Sequence, residues 1–235
     1  MDRVAWVIGG GSGIGRATAV AIAASGARVV VSGRRTESLD ETVHLAGDRA
    51  TAIPFDATDG DALLAAHEHV STTVGPVTDL IVAAGLNSPK RFWRDQSMAE
   101  FQAIVDTNLT AVARAIDVVL PSMRDAARGT IIVVSSYAGW LPNPNSGVAY
   151  SASKTALASL CVQLNLQEGA NGIRATHLCP GDVDSDFLGM RPVVPDAAAR
   201  QRMMRPEDVA RAIQFVIETP PHVRIDELVI TPTGM

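Results

Sequence analysis

The chain has 235 residues, 47% of them hydrophobic and 19% charged, so it is long enough to bury one large core. Its 20 basic and 25 acidic residues give a net charge of −5 without any block of like charge, which argues against a nucleic-acid surface and a polybasic membrane anchor. With no charged leader, no apolar run of about 18 residues and only two isolated cysteines, we expect a cytoplasmic protein that acts on a small molecule.

Short apolar runs alternate with longer amphipathic stretches along the chain. The runs predict strands at Val4 to Ile8, Arg28 to Val31, Ala50 to Phe55, Asp79 to Ala83, Thr130 to Val134, Ile173 to Leu178 and Glu227 to Ile230. The stretches predict helices at Gly13 to Ser25, Glu37 to Leu45, Asp59 to Val74, Met98 to Ala126, Ala149 to Glu168 and Pro206 to Glu218. Since continuously apolar runs suit strands that are covered on both faces, we predict a single α/β domain with a doubly wound parallel β-sheet between two helix layers.

One segment departs from this alternation, namely the stretch from Asp182 to Met204. It carries several prolines, glycines and arginines, has weak periodicity and is longer than ordinary connections. Long loops at the carboxyl ends of strands often gate sites, so we predict a substrate lid at residues 182–204. A surface excursion without a function is the alternative.

A glycine-rich turn, IGGGSGIG at residues 8 to 15, follows the first predicted strand and leads into an amphipathic helix. Such a turn forms an anion site, because free backbone N–H groups and the helix dipole converge on a pyrophosphate. We expect Gly9, Gly13 and Gly15 to let the backbone approach the phosphates of a dinucleotide. The residues expected to contact the cofactor at this turn are Gly9, Gly11, Ser12, Gly13, Ile14 and Gly15.

The second predicted strand indicates which dinucleotide binds. It ends in VVVSGRR, which places Gly33, Arg34 and Arg35 about 20 residues after the turn, where an adenosine ribose lies in such folds. An acidic residue there would bind the ribose 2′-hydroxyl, whereas a glycine followed by arginines offers room and positive charge for a 2′-phosphate. We therefore predict NADP as the cofactor, with NAD as the alternative if the arginines only open a loop.

A candidate catalytic group follows the strand IIVV. Ser136 ends the strand, and Tyr150 stands fourteen residues later in YSASK, which ends at Lys154. Tyrosine and lysine at i and i+4 share one helix face, and a nearby ammonium lowers the pKa of a phenol from its usual value of about 10. We expect Tyr150 to transfer a proton, Lys154 to bind the nicotinamide ribose and Ser136 to orient the substrate oxygen.

Taken together, the glycine turn, the serine at the strand end and the YxxxK pair resemble the short-chain dehydrogenase/reductase family over nearly the whole chain. The resemblance implies a Rossmann-like fold and hydride transfer between NADP(H) and a carbonyl or alcohol, with Tyr150 as general acid and base. It also implies Asn108, in VDTNLTAV, as a fourth catalytic residue that relays protons through water. Further cofactor contacts that the resemblance implies are Asp56, Ala57, Ala84, Gly85, Pro180, Gly181, Val183 and Ser185, in addition to Tyr150 and Lys154.

The chain departs from the family pattern at three places. Ile8 stands where threonine is common, and Val82 and Ala83 replace two asparagines, which puts cofactor affinity in doubt more than the chemistry. The gap between serine and tyrosine is one residue longer than usual, with the extra residue in WLPNPNSGVA. Either Ser135 or Ser136 can therefore face the substrate, and we favour Ser136 because it directly precedes YAG.

Several alternatives stay open at this point. A nucleotide-sensing protein without turnover would not need all four catalytic residues, and the related epimerases and dehydratases usually carry an added substrate domain. We expect no metal site, because His67 and His69 are two residues apart on a predicted helix and face different directions. The resemblance favours a homotetramer or homodimer. The apolar positions Leu157, Leu160 and Leu164 are either core residues or face a second subunit.

Overall fold

A computed structural model describes residues 3–141 and 143–234 of the chain. Seven strands form one sheet in the order β3-β2-β1-β4-β5-β6-β7, and every pair of neighbours is parallel. The strands are β1 Val4–Ile8, β2 Arg28–Gly33, β3 Ala50–Pro54, β4 Asp79–Val82, β5 Gly129–Val134, β6 Ile173–Pro180 and β7 Glu227–Ile230. The predicted doubly wound parallel sheet is confirmed.

Helices cover both faces of this sheet. They are α1 Gly13–Ala24, α2 Thr36–Ala46, α3 Gly60–Thr73, α4 Met98–Val105, α5 Ala111–Asp125, α6 Tyr137–Trp140, α7 Val148–Glu168, α8 Ala197–Arg200 and α9 Pro206–Glu218. Successive side chains of a strand point to opposite faces, so Trp6 of β1 packs with α3, α5 and α7, whereas Val7 packs with α1, α2 and α9. The molecule is thus a three-layer αβα structure with two apolar cores.

The helix that we predicted from Met98 to Ala126 is interrupted. Residues Asp106–Thr110 form one π-helical turn between α4 and α5, and Asn108 lies fully buried within it. A π turn holds an extra residue, and such turns frequently occur at functional sites. The sequence prediction of one continuous helix was wrong here, because periodicity over so few residues does not distinguish a π turn from an α turn.

The position of the candidate site follows from the strand order. Strand β1 pairs with β2 on one side and β4 on the other, so the chain leaves β1 in one direction and later returns on its opposite side. In open α/β sheets the crevice for a ligand opens at the carboxyl ends of the strands, at this switch point. Gly9, which follows β1, and Ala84, which follows β4, meet there.

Residues 182–204 leave the sheet after β6 and return to the same point. Val183 and Met204 form an isolated parallel bridge. Its bonds run from the Asp184 N–H to the Met204 carbonyl at 2.8 Å and from the Met204 N–H to the Asp182 carbonyl at 3.0 Å. Between these ends lie a 3₁₀ turn at Asp186–Met190 and helix α8. The segment is therefore a closed excursion above the carboxyl ends of the strands.

The sequence left open whether three leucines of helix α7 belong to the core or face a second subunit. Leu157 and Leu164 are buried in the core beneath the helix, with Leu160 partly buried against it, while Val162 and Leu166 are exposed. The three leucines that we singled out thus pack inward. In the part of the chain that the structure describes, no helix is both long enough and apolar enough to cross a membrane.

Candidate active site

A cleft of about 1330 Å³ opens where the carboxyl ends of the strands meet. Every residue that we predicted to contact the cofactor lines it, from the glycine turn to the 182–204 segment. These residues are Gly9, Gly11, Ser12, Gly13, Ile14, Gly15, Gly33, Arg34, Arg35, Asp56, Ala57, Ala84, Gly85, Tyr150, Lys154, Pro180, Gly181, Val183 and Ser185. The fold thus gathers them from five strand ends and from helix α7, and their contact with a dinucleotide stays a prediction.

The glycine turn needs its glycines for two different reasons. Gly9 and Gly13 have positive φ angles of 87° and 50°, which residues with a side chain rarely adopt. Gly15 instead lies so close to the turn that a Cβ atom would stand 2.1 Å from the Gly9 carbonyl oxygen. The absence of a side chain at Gly15 therefore lets helix α1 pack on the turn, and the approach of its backbone to the phosphates stays a prediction.

The start of helix α1 is open to an anion. The Ser12 side chain at its N-cap makes no capping hydrogen bond with the helix. Residues 11–15 line the cleft, so the first-turn N–H groups lie beside it without a side-chain cap. An uncapped helix start with a positive dipole end fits the pyrophosphate of a dinucleotide.

The adenosine end of the cleft carries charges of both signs. Arg34 and Arg35 are exposed directly after β2. Hydrogen bonds from the Thr58 backbone N–H at 2.9 Å and from its hydroxyl at 2.8 Å hold the Asp56 carboxylate. The Thr58 backbone bond lowers the pKa of Asp56 most; burial opposes it, and the Thr58 hydroxyl and the Arg34 charge lower it further. Asp56 is thus a fixed anion, and Arg34 is a cation exposed at the rim.

At the other end of the cleft, the two candidate serines have different surroundings. The Ser135 hydroxyl is buried and donates to the Lys154 backbone carbonyl at 3.0 Å. The Ser136 hydroxyl lines the cleft, accepts a hydrogen bond from the Ala138 N–H at 3.2 Å and interacts with the Tyr150 phenol. Both serines line the cleft, and their partners favour Ser136 as the residue that faces a substrate, because the Ser135 hydroxyl is already bonded to backbone.

Burial dominates the electrostatics of Tyr150 and Lys154. Burial raises the pKa of Tyr150, while the hydrogen bond with Ser136 and the positive charges of Arg91 and Arg191 lower it. Burial also lowers the pKa of Lys154 to about 8, although the ammonium donates to the Val134 carbonyl at 2.9 Å. The Lys154 Nζ atom stands 5.9 Å from the centre of the Tyr150 ring. Ser136 and the two arginines thus oppose the effect of burial on Tyr150, and the lowering of its pKa by Lys154 stays a prediction.

Asn108 stands behind the cleft rather than in its lining. Its side-chain carbonyl accepts from the Leu86 N–H at 2.7 Å, and its amide donates to the Leu86 carbonyl at 2.9 Å and to the Ser153 hydroxyl at 3.2 Å. The π turn aims the side chain at the segment after β4 and so fixes that segment. The proton relay implied by the family resemblance stays a prediction.

Sequence reasoning missed the residues on the substrate side. Arg91 is buried, and its guanidinium donates to the carbonyls of Ser88 at 2.8 Å, Asn145 at 3.4 Å and Met190. The Phe187 ring centre lies 5.9 Å from that of Tyr150. These contacts join segments far apart in the chain, and no local pattern marks them.

A second polar cluster lies between the last two strands. His177 Nδ1 is 3.0 Å from a carboxylate oxygen of Glu227 and 3.3 Å from Cys179 Sγ, a set of groups that is able to hold a metal ion. Burial raises the pKa of Cys179 to about 12. His177 and Glu227 are neighbours across β6 and β7, so their contact joins the two strands, and the expected absence of a metal site stays a prediction.

Comparison with known families decides the classification. A family model described as short chain dehydrogenase matches residues 3–192. The chain belongs to this family. It is therefore an oxidoreductase of the short-chain dehydrogenase family with a Rossmann-like nucleotide-binding fold.

Two curated relatives illustrate the similarity. The cis-4-hydroxycyclohexanecarboxylate dehydrogenase of Sinomonas cyclohexanicum is 35% identical over 223 residues, which cover 92% of this chain and 89% of the relative. The glycine betaine reductase of Emericella nidulans is 32% identical over 98% of this chain, but the match spans only 19% of that longer protein.

Solved structures agree with this fold. The closed form of a serine dehydrogenase complexed with NADP⁺ superposes with a TM-score of 0.91 at 26% identity, covering 99% of this chain and 96% of the other. An alcohol dehydrogenase from Thermococcus sibiricus complexed with 5-hydroxy-NADP gives a TM-score of 0.88 at 25% identity, covering 100% and 98%. This short-chain dehydrogenase thus shares its fold with two structures that contain NADP or a derivative of it.

Proposed function

We propose that this protein passes hydride between NADP(H) and the carbonyl or alcohol carbon of a small substrate, with Tyr150 as the general acid and base. One observation carries the proposal: Ser136, Tyr150 and Lys154 meet in the same cleft as the glycine turn and the uncapped start of helix α1. A nucleotide-sensing protein would need the turn but not this second group of residues.

The residues present fit a dinucleotide. Glycines with positive φ and the open start of α1 suit the pyrophosphate, and Pro180 and Gly181 line the same cleft as Tyr150. When bound, the cofactor supplies or accepts a hydride at its nicotinamide ring. The Lys154 ammonium, which is buried at this end, is placed to bind the adjoining ribose.

Protons move through the chain's own residues. In reduction, Tyr150 gives its proton to the substrate oxygen as the carbon gains hydride, and in oxidation Tyr150 takes that proton back. Ser136 donates a hydrogen bond to the same oxygen and holds the substrate carbon in position. The charges of Arg91 and Arg191 stabilise the phenolate that Tyr150 becomes.

The preference for NADP rests on charge at the adenosine end. Gly33 offers room, and Arg34 and Arg35 offer positive charge where a 2′-phosphate lies, whereas NAD would call for an acidic residue. The presence of NADP⁺ and 5-hydroxy-NADP in the two structural neighbours supports this assignment. The neighbour named for serine and the Sinomonas relative named for a hydroxycyclohexanecarboxylate act, by their names, on hydroxy compounds, which supports an alcohol or carbonyl substrate.

The 182–204 segment is the substrate lid in this proposal. Its Phe187 ring lies beside the Tyr150 ring, and the Ser185 side chain lies 3.4 Å from where a Cβ atom on Gly13 would stand. The segment therefore covers both the reacting residue and the glycine turn. Its two ends are bridged, so a movement of the segment would leave the sheet in place.

The test is to reduce a panel of ketones and aldehydes with NADPH and with NADH. Oxidation of the cofactor is measured as the loss of absorbance at 340 nm. Tyr150→Phe is expected to lower kcat by about 10²- to 10⁴-fold, since it removes the proton carrier but keeps the ring. Tyr137→Phe is the matched control and is expected to keep most of its activity. If NADPH is oxidised slowly and at the same rate by the wild type and by Tyr150→Phe, the proposed mechanism is wrong. The alternative of a nucleotide-sensing protein without turnover is then favoured.

A further inference from the structure

Arg91 is an arginine buried beside the reacting residue, with only 5% of its surface exposed. Its three hydrogen bonds all go to backbone carbonyls, those of Ser88, Asn145 and Met190. Within residues 3–141 and 143–234, no carboxylate forms an ion pair with it. Buried charges in proteins are ordinarily paired, because an uncompensated one costs several kcal/mol.

Other arginines of the lid region do have acidic partners. Arg191 pairs with Asp182, and Arg200 lies 3.4 Å from Asp184. The side chains of Arg191 and Arg200 are each more than a third exposed, so water also screens these two ion pairs. Arg91 differs in both respects, since it is shielded from water and contacts only neutral oxygens.

The hydrogen bonds of Arg91 leave donors unused. A guanidinium has five N–H groups, and the three carbonyls take one from Nε and one from each terminal nitrogen. One N–H on each terminal nitrogen remains, the number that a carboxylate accepts in a two-pronged contact.

The surroundings of Arg91 point to the substrate side of the cleft. Arg91 lines the cleft together with Phe92 and Phe187, and its charge acts on Tyr150. The glycine turn that suits the pyrophosphate lies at the other end, beside helix α1. A group that pairs with Arg91 therefore belongs to the molecule that reacts at Tyr150.

We propose that Arg91 binds a carboxylate of the substrate, so that this enzyme interconverts hydroxy acids and oxo acids rather than neutral alcohols and ketones. The aromatic rings of Phe92 and Phe187 line the space for the carbon frame between the carboxylate and the reacting carbon. This inference rests on the proposed function, and deepens it by naming the substrate class.

The experiment compares oxo acids with their methyl esters, which keep the shape but lose the charge. The pairs vary the distance between carbonyl and carboxyl groups, and kcat/KM is measured with NADPH. A hydrogen bond to a charged group contributes about 1.5–3 kcal/mol, so we expect the best acid to exceed its ester by roughly 10- to 100-fold, mainly through KM.

Variants then assign this preference to Arg91. In Arg91→Gln the ratio of acid to ester should fall to about 1, while Arg91→Lys, which keeps the charge but not the fork, should give an intermediate ratio. The matched control is Lys90→Gln on the same loop, because Lys90 is exposed and does not line the cleft. Melting temperature and NADPH affinity show whether each variant is folded. If Arg91→Gln does not fold, the test uses Arg91→Lys.

Several outcomes would overturn the inference. The carboxylate site is refuted if acids and esters have equal kcat/KM in the wild type, or if Arg91→Gln and Arg91→Lys leave the acid-to-ester ratio unchanged. Either result is compatible with the proposed oxidoreductase function. If no carbonyl compound is reduced, the proposed function fails instead. Calorimetry of acid and ester binding to the wild type with NADP⁺ then decides: tighter binding of the acid supports the Arg91 site, and equal binding refutes it.

Discussion

The two ends of the cleft are built in different ways. At the nucleotide end, β1, α1 and β2 follow one another in the chain, and backbone packs directly on backbone. Short contacts such as the one from Trp6 Nε1 to Ser32 Oγ at 2.9 Å join neighbouring elements. At the substrate end, side chains reach across long separations: Arg91 bonds to Met190, 99 residues away, and Asn87 donates to the Ser146 carbonyl at 3.1 Å, 59 residues away.

This difference has a physical consequence. At the nucleotide end the turn after β1 is tightly packed, because a Cβ on Gly9 would stand 2.4 Å from the Ala84 nitrogen. The substrate end is held by polar side chains that bond to loop carbonyls, so its shape depends on loop conformation. A change at the first end is therefore expected to affect folding and cofactor binding together, while a change at the second end is expected to affect substrate choice.

The strongest test of this contrast is Gly15→Ala. The new Cβ would lie 2.1 Å from the Gly9 carbonyl oxygen, so helix α1 must move away from the turn. We expect the free energy of unfolding to fall by about 3 kcal/mol and NADPH binding to be lost. Thermal denaturation and fluorescence titration with NADPH measure both effects.

Gly60→Ala is the control for that variant, because the nearest atoms to its added Cβ belong to the Arg114 guanidinium at 3.8 Å. It should keep wild-type affinity and gain or lose little stability. A Gly15→Ala protein with unchanged melting temperature and affinity would show that the nucleotide end is not tightly packed.

Lys154→Met tests the cost of burying a charged group in the cleft between the nucleotide end and the substrate end. Burial lowers the pKa of Lys154 from 10.5 to about 8, so at pH 7 the buried ammonium costs the folded state about 3 kcal/mol. We expect the variant to be inactive yet more stable at pH 7 by up to that amount. Guanidinium chloride unfolding across pH measures the difference.

The sign of the pH dependence follows from proton counts. Between pH 8 and 10.5 the unfolded chain keeps the Lys154 proton that the folded state has lost, so wild-type stability rises with pH through this window. The advantage of Lys154→Met should therefore shrink from pH 8 and vanish above 10.5. Lys90→Met, at an exposed position, should show no such trend. A constant advantage would mean that packing, not charge, explains the gain.

Arg34→Ala is expected to have the smallest effect. Arg34 is exposed, so the loss of one charge-assisted hydrogen bond should weaken NADPH binding by about 10-fold and leave NADH binding nearly unchanged. Kd values for both cofactors give the ratio, and Arg49→Ala serves as an exposed control. An equal loss for both cofactors would refute the assignment to the 2′-phosphate.

Much of the fold could be predicted because its signals are local. Each predicted strand appears in the sheet, with ends shifted by no more than two residues, since short apolar runs bounded by turn residues are a local signal. The π turn at Asp106–Thr110 could not be predicted, because periodicity over five residues does not distinguish it from an α turn, and the bonding of Asn108 to Leu86, 22 residues away, is a tertiary contact. Gly139 was missed for a similar reason: a Cβ there would stand 2.7 Å from the Lys154 carbonyl oxygen, so the glycine lets α6 pack on α7.

The sequence by itself determined the sheet, the glycine turn and the pairing of Tyr150 with Lys154, because period, turn chemistry and i,i+4 spacing act over a few residues. Only the tertiary structure decided that Ser135 bonds to the Lys154 carbonyl while Ser136 interacts with Tyr150, and that the charges of Arg91 and Arg191 act on Tyr150. Electrostatic influence depends on distance in space, and the loops that bring these arginines to Tyr150 are positioned by contacts between remote parts of the chain.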